Sequence, residues 1–283
     1  MNSNLDFEAF REVISKELLQ HPVIRANPFT AWFKRGEADH DQVVDLIVQF
    51  SVFSNHFLVA QVKRMVFAET EEGERCARNI LMSECGVGLD ARTGSVEGRS
   101  FATSNAHINW LRECGAVLGL TPMELGHWHR AHPSTKSFLR ALDSTYGSPD
   151  SDVGLGASFA IESWAAFGIG HAPELENRNF WKELIVGLEG HNARRVAEGL
   201  APLPLGFFKY HFALESGHGA NVWAELEASF KRPGFSKAKF LRGGKKALDA
   251  INRFWLGLDE SRKALDGTEA RMLSAINVSQ WAV

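Results

Sequence analysis

The segment from Asp39 to about Phe67, DHDQVVDLIVQFSVFSNHFLVAQVKRMVF, constrains the fold more than any other. Its apolar residues recur at helical spacing, yet its aromatic residues fall on several faces rather than along one stripe. A helix apolar on most sides must be buried on most sides, which requires other helices around it. Strand signals are nearly absent elsewhere. The Val-, Ile- and Phe-rich stretches are broken at helical spacing, and no Asn-Gly or Asp-Gly turn separates two of them. The expectation is an all-α, single-domain helical bundle.

Further helices are predicted over about Leu5–Leu19, Glu71–Cys85, Ala102–Leu118, Pro122–His129, Ser134–Tyr146, Val153–Gly170, Phe180–Leu188, Leu205–Leu226 and Lys237–Leu258. His21-Pro22 ends the first, because the residue before proline is pushed out of the helical region. Asn27-Pro28-Phe29 starts another turn. Thr121-Pro122-Met123-Glu124 reads as a capping sequence that opens a helix. Breaks fall at Gly86–Gly98, Gly147–Asp152 and Gly199–Pro204. No repeat or long linker divides the chain, so the expected core spans about 20–226, with a C-terminal helical extension over about 233–283.

A formal net charge of -3, with both signs spread along the chain, gives no footprint for nucleic acid or an anionic membrane. The N-terminus lacks a basic region before an uninterrupted apolar stretch, and no run reads as long enough to cross a bilayer. Cys76, Cys85 and Cys114 are odd in number and lack C-x-x-C spacing. They read as reduced thiols acting as small core hydrophobes in a cytoplasmic protein.

The sharpest local signal is HFALESGH, in which His211, Glu215 and His218 lie four and three residues apart within a predicted helix. Such residues fall within about 60° of one another on one helical face. Phe207, Phe208, Tyr210, Phe212 and Trp223 flank them, so the polar triplet is expected to face inward, where unpaired polar groups are costly. Metal coordination would satisfy them, and a mixed imidazole and carboxylate set favours iron or manganese. A solvated stripe that contains histidine by chance is the alternative. Further carboxylates are available. Glu84 ends a helix beside the apolar neighbours Ile80, Leu81 and Cys85, and Glu162 is the only charged residue between Asp152 and Glu174. A carboxylate in such a setting is either a ligand or the partner of a buried cation. His107 alone would as readily be a satisfied core or capping histidine.

The order Glu84, then H-x-x-W-L-x-x-x-x-x-x-L-G-L from His107, then Glu162, then H-x-x-x-E-x-x-H from His211 resembles the haem-oxygenase-like diiron oxidases. That group is related in fold to haem oxygenase, the TenA thiaminases and pyrroloquinoline quinone synthase. The early segment HPVIRANPF, followed by GEADHDQVVDLIVQF, is also similar to the entry helices of the superfamily. The resemblance spans about Gln20 to Leu226. It implies a haem-oxygenase-like bundle holding two iron ions, with Glu84, His107 and Glu162 supplied by three helices and His211, Glu215 and His218 by the last core helix. Homodimers are common in the group.

Two departures stand out. The family commonly has Asp where this chain has Glu215, and the gap from Glu84 to His107 is longer than in several members. That gap contains Glu97, and members that oxidise nitrogen place an extra glutamate ligand in the same interval. Glu97 is therefore both a candidate seventh ligand with a catalytic role and an ordinary solvated charge in a Gly-rich loop. A competing ferritin-like set would use Glu124-x-x-His127 with Glu215-x-x-His218, but Glu124 is already explained by capping. The histidines at 127, 129 and 132 read as a surface turn, and His171 and His191 have no spacing partner.

No G-x-S-x-G, G-x-x-x-x-G-K-[ST] or G-x-G-x-x-G motif is present in a fitting context. The expected activity is O2-dependent oxidation of a small amine or amino-acid-like substrate, by N-oxygenation if Glu97 is a ligand. Otherwise desaturation or carbon–carbon cleavage is equally open. Electrons would come from the substrate or an external reductant. A metal-free enzyme of the TenA or quinone-synthase kind and a non-catalytic helical interaction protein are the rivals.

Overall fold

A computed structural model describes residues 3–90 and 94–279; the side chains of residues 3–4, 216–221 and 267–279 lie outside that description. The helices are α1 (Ser3–Glu17), α2 (Pro22–Arg25), α3 (Pro28–Phe33), α4 (His40–Val66), α5 (Glu71–Glu84), α6 (His107–Val117), α7 (Pro133–Thr145), α8 (Ser151–Ala165), α9 (Pro173–Glu176), α10 (Phe180–Ala197), α11 (Gly206–Phe230) and α12 (Lys237–Ser279). Among the described residues the sole β feature is an isolated bridge between Val87 and Phe101. The all-α expectation holds.

Side chains written into the sequence start these helices. Asp39 accepts from the backbone N–H of Gln42, while the Gln42 side chain accepts from the N–H of Asp39, a reciprocal cap for α4. Asn179 Oδ1 accepts from Trp181 N–H at the start of α10, and its Nδ2 donates to the carbonyls of Ala165 and Phe167 beyond α8. One buried amide thus opens one helix and closes another.

α4 is surrounded by α5, α6 and α7, as its apolar circumference requires. By length and composition it would also pass for a membrane span, contrary to the expectation that no run is long enough. A largely buried bundle helix and a spanning helix share that composition. Its buried polar residues are satisfied by neighbours: Gln49 donates to the carbonyl of Arg130 and accepts from His132 N–H and Thr135 Oγ1.

Three expected elements are corrected. The stretch from Pro122 to His129 is not a helix: the cap from Thr121 N–H to Glu124 forms at 2.9 Å, but Leu125 is extended and Gly126 has φ 79°, so only short 3-10 turns form. Ala106 is extended, so the helix expected from Ala102 begins at His107. α10 continues past Leu188 to Ala197, because burial of Leu184, Ile185 and Leu188 offsets the roughly 1 kcal/mol that an interior glycine costs.

The C-terminal segment is no appendage. Phe240, Leu248, Ile251, Phe254 and Trp255 of α12 belong to the same core cluster as Phe10 and Ile14 of α1, Phe50 of α4 and Phe159 of α8. α12 lies against α8 with almost no side chain between the backbones. A Cβ on Gly156 would sit 1.9 Å from Phe240 O, and one on Gly243 would sit 2.1 Å from Val153 O. This close approach fixes α8, which carries Glu162.

Candidate metal centre

Glu84 is the last residue of α5 and His107 the first of α6. A carboxylate at the negative end of a helix dipole is unfavourable unless cations face it, and Glu84 faces imidazoles. The chain between the two residues turns back on itself. Ala102 N–H donates to Gly86 O at 3.0 Å and Gly88 N–H to Ser100 O at 3.1 Å. Gly86 is obligatory there: its φ is 105°, and a Cβ would lie 2.4 Å from Ala102 O. This ribbon brings the end of α5 to the start of α6.

Glu84 Oε2 lies 2.9 Å from His107 Nδ1, and Oε1 lies 3.8 Å from His211 Nε2. Ligand atoms of these three residues all fall within 4.8 Å of one another. His211, on α11, has its Nδ1 2.7 Å from the carbonyl of Phe207. A carbonyl only accepts, so Nδ1 carries a proton, and Nε2 is the ring nitrogen turned toward Glu84, the arrangement that orients histidine ligands. His107 is buried; its Nδ1 is close to Glu84 but out of line for a hydrogen bond, and its Nε2 has no partner. A cation held by these atoms would satisfy both residues.

Burial alone would raise the Glu84 carboxyl, but the adjacent His107 and His211 outweigh it and hold Glu84 well below the usual carboxylate range. The rings are locked by packing. Trp110 stacks on His107 at 5.1 Å and Trp181 on His211 at 4.8 Å, with Tyr210 set edge-on to His107. Ser83 Oγ lies 3.3 Å from Tyr210 Oη.

Glu162 and Glu215 are each 5% exposed and line the same cavity as Glu84, His107 and His211. That cavity, about 80 Å³, is otherwise walled mainly by apolar side chains, including Phe50, Phe53 and Phe57 of α4. Five of the seven residues singled out from the sequence therefore meet around one space. The side chain of His218 lies outside the described residues. Glu97 is not brought to the cavity. It is exposed in the loop, its backbone N–H on Ser95 Oγ, whereas Leu89 and not Glu97 is the loop residue that reaches the cavity wall.

The ferritin-like alternative finds no support in the geometry. Glu124 accepts from Thr121 on the surface, and the rings of His127 and His129 stack on each other, while His132 pairs with Asp45 at 3.0 Å. His191 is buried against the carbonyl of Ala38. The cysteines divide: Cys114 is buried as expected, Cys76 is half-buried, and Cys85 is exposed. Buried residues near the site that the sequence did not flag are Trp181, Arg64, Tyr146 and Glu225. Arg64 in particular reads as an ordinary basic residue of a helix's last turn, with nothing to mark it as buried.

Fold and site together define an all-helical bundle with a buried cluster of carboxylates and imidazoles. No family model and no curated relative matches the chain. Solved structures do match. A crystal structure at 2.00 Å resolution of a CADD-like protein of unknown function from Nostoc punctiforme PCC 73102 superposes with a TM-score of 0.60 at 19% identity, covering 91% of this chain and 99% of that one. A 1.35 Å structure of the same CADD-like protein gives 0.55 at 18%, covering 92% and 97%. The likeness shows that this chain shares the all-helical fold of those CADD-like structures.

Proposed function

We propose that the chain is a non-haem diiron oxidase that uses O2 to oxidise a small molecule in the cavity at Glu84. The observation that carries this reading is the meeting of Glu84, His107 and His211 ligand atoms within 4.8 Å, beside two further buried glutamates. Glu84, His107, His211, Glu162 and Glu215 would hold the ions, with His218 a further ligand on α11. Bound ferrous ions would supply electrons and open coordination positions for O2. Three carboxylates offset most of the charge of two divalent ions in a site with little water. Trp110, Trp181 and Phe207 keep both rings in place and exclude solvent. Phe50, Phe53 and Phe57 would hold the apolar part of a substrate.

N-oxygenation of an amine is one reaction such a centre could perform. The exposed position of Glu97 and the apolar cavity wall favour the second reading, attack on a C–H bond leading to desaturation or carbon–carbon cleavage. None of the three cysteines lines the metal cavity, which argues against a metal-free mechanism built on a thiol. We further propose a cytoplasmic homodimer acting on a small molecule rather than on nucleic acid or membrane, its electrons drawn from the substrate or an external reductant. Val59, Val62 and Val66 form an exposed apolar stripe at helical spacing on α4, suited to pairing with a second copy.

The test is O2 uptake. Protein loaded anaerobically with ferrous ion should consume O2 and show a transient visible absorption on mixing, and His211→Ala should abolish both. No uptake beyond that of free ferrous ion would refute the reading.

A further inference from the structure

Beside the metal cavity lies a smaller one of about 30 Å³, and Glu162, Ile80 and Leu89 belong to the walls of both. Two buried donors line it. Arg64 of α4, 5% exposed, pairs through Nη2 with Glu225 of α11, yet its Nε has no hydrogen-bond partner. Tyr146, fully buried just beyond α7, makes no well-aligned hydrogen bond through Oη; the Ser158 hydroxyl in the same cavity wall is near enough to act on it but is not aligned as its acceptor. Buried donors without acceptors are rare because each forfeits its hydration for nothing. Two in one small cavity call for an occupant that accepts hydrogen bonds.

Room and chemistry narrow the choice. A water needs about 10–15 Å³ of such space, so the cavity takes roughly two waters or one carboxylate. Arg64 Nε–H only donates and carries positive charge, and the Tyr146 O–H can donate beside it, which suits a carboxylate. The groups facing the cavity also set a condition. Arg64 and Arg75 stand against Glu225, Glu162 and Glu72, the last paired with Arg75. An anion enters more readily once a cation beside Glu162 offsets that charge.

We propose that this cavity is a carboxylate subsite: Arg64 Nε and Tyr146 Oη hold the substrate's carboxylate, and the rest of the molecule passes Glu162 into the apolar metal cavity. The substrate class is then a carboxylic or amino acid with an apolar body. This deepens the diiron reading and rests on it for the identity of the neighbouring cavity.

The test uses 3-phenylpropanoate and its near-isosteric amide, 3-phenylpropanamide, titrated calorimetrically into the full chain under anaerobic conditions, with and without ferrous ion. The acid should bind at least about ten-fold more tightly than the amide, the size expected of a hydrogen bond to a charged group, and ferrous ion should widen the gap. Tyr146→Phe should weaken the acid about ten-fold, weaken the amide by less, and leave iron content unchanged. Arg64→Met combined with Glu225→Gln, which removes both charges together, should erase the preference. Equal binding of acid and amide would overturn the subsite. So would a preference that appears only with iron and survives both variants, since the metal would then hold the acid. Iron binding without the acid preference removes the subsite alone; acid preference without iron binding removes the diiron reading alone.

Discussion

Glu84 Oε2 stands 2.9 Å from His107 Nδ1 although the two residues belong to different helices and the nitrogen and oxygen are not aligned as donor and acceptor. Proximity without hydrogen-bond alignment is what a shared cation would leave behind. Glu84→Gln keeps the shape and removes the charge. Ferrous affinity should fall by at least about 10- to 100-fold, the range seen even for partners of ligands, with the helical circular dichroism unchanged. Competition with a colorimetric chelator measures it.

The backbone contact of α8 with α12 gives a stability prediction. Gly156→Ala places a methyl group 1.9 Å from Phe240 O, which backbone cannot yield cheaply. Overpacking of this kind costs about 1–3 kcal/mol, and the upper end is expected here. The melting temperature should drop by roughly 5 °C or more, and iron content should fall with it because Glu162 rides on the same helix.

Much of this was legible beforehand, for identifiable reasons. α4 and α8 announce themselves by long apolar runs at helical spacing, and Asp39 and Asn27-Pro28 mark where helices begin. His211 and Glu215 are legible because helical spacing alone puts them on one face. The pairing of Glu84 with His107 is set by a ribbon around Gly86, and no local pattern reports that. Glu97 is ambiguous for the same reason: loop residues have no periodicity to report whether a side chain faces the site or solvent. Arg64 and Glu225 could not be flagged, because each looks like a solvated charge until α4, α5 and α11 are packed.

Cysteine reactivity should separate the three thiols. Burial pushes both Cys76 and Cys114 up to about 12, so at pH 8 only about one in ten thousand of either is a thiolate. Cys85 is exposed. Iodoacetamide at pH 8 should label Cys85 first in the native protein and reach the other two only on unfolding, as peptide mass mapping would show. Rapid native labelling of Cys114 would contradict the packing described.

His191 adds a pH dependence. Burial lowers its pKa from the ordinary 6.5, with Arg194, Arg195 and His40 adding to this and the Ala38 carbonyl opposing it. The unfolded chain therefore takes up the proton first as pH falls through about 6.5. Stability contributed by neutral His191 is full above that pH and is lost progressively down to the folded pKa. The melting temperature should decline below pH 6.5, and His191→Asn, which keeps a polar group near Ala38 O, should flatten that decline.

Ferrous binding per chain tests the diiron centre most directly. Anaerobic titration followed by Mössbauer spectroscopy should find about two high-spin ferrous ions per chain in sites of mixed nitrogen and oxygen ligation. Replacing Glu162 with Ala should lower the count. Contradiction would come from a wild-type chain that binds no iron, or from one whose iron content is indifferent to Glu84, His107, Glu162 and His211.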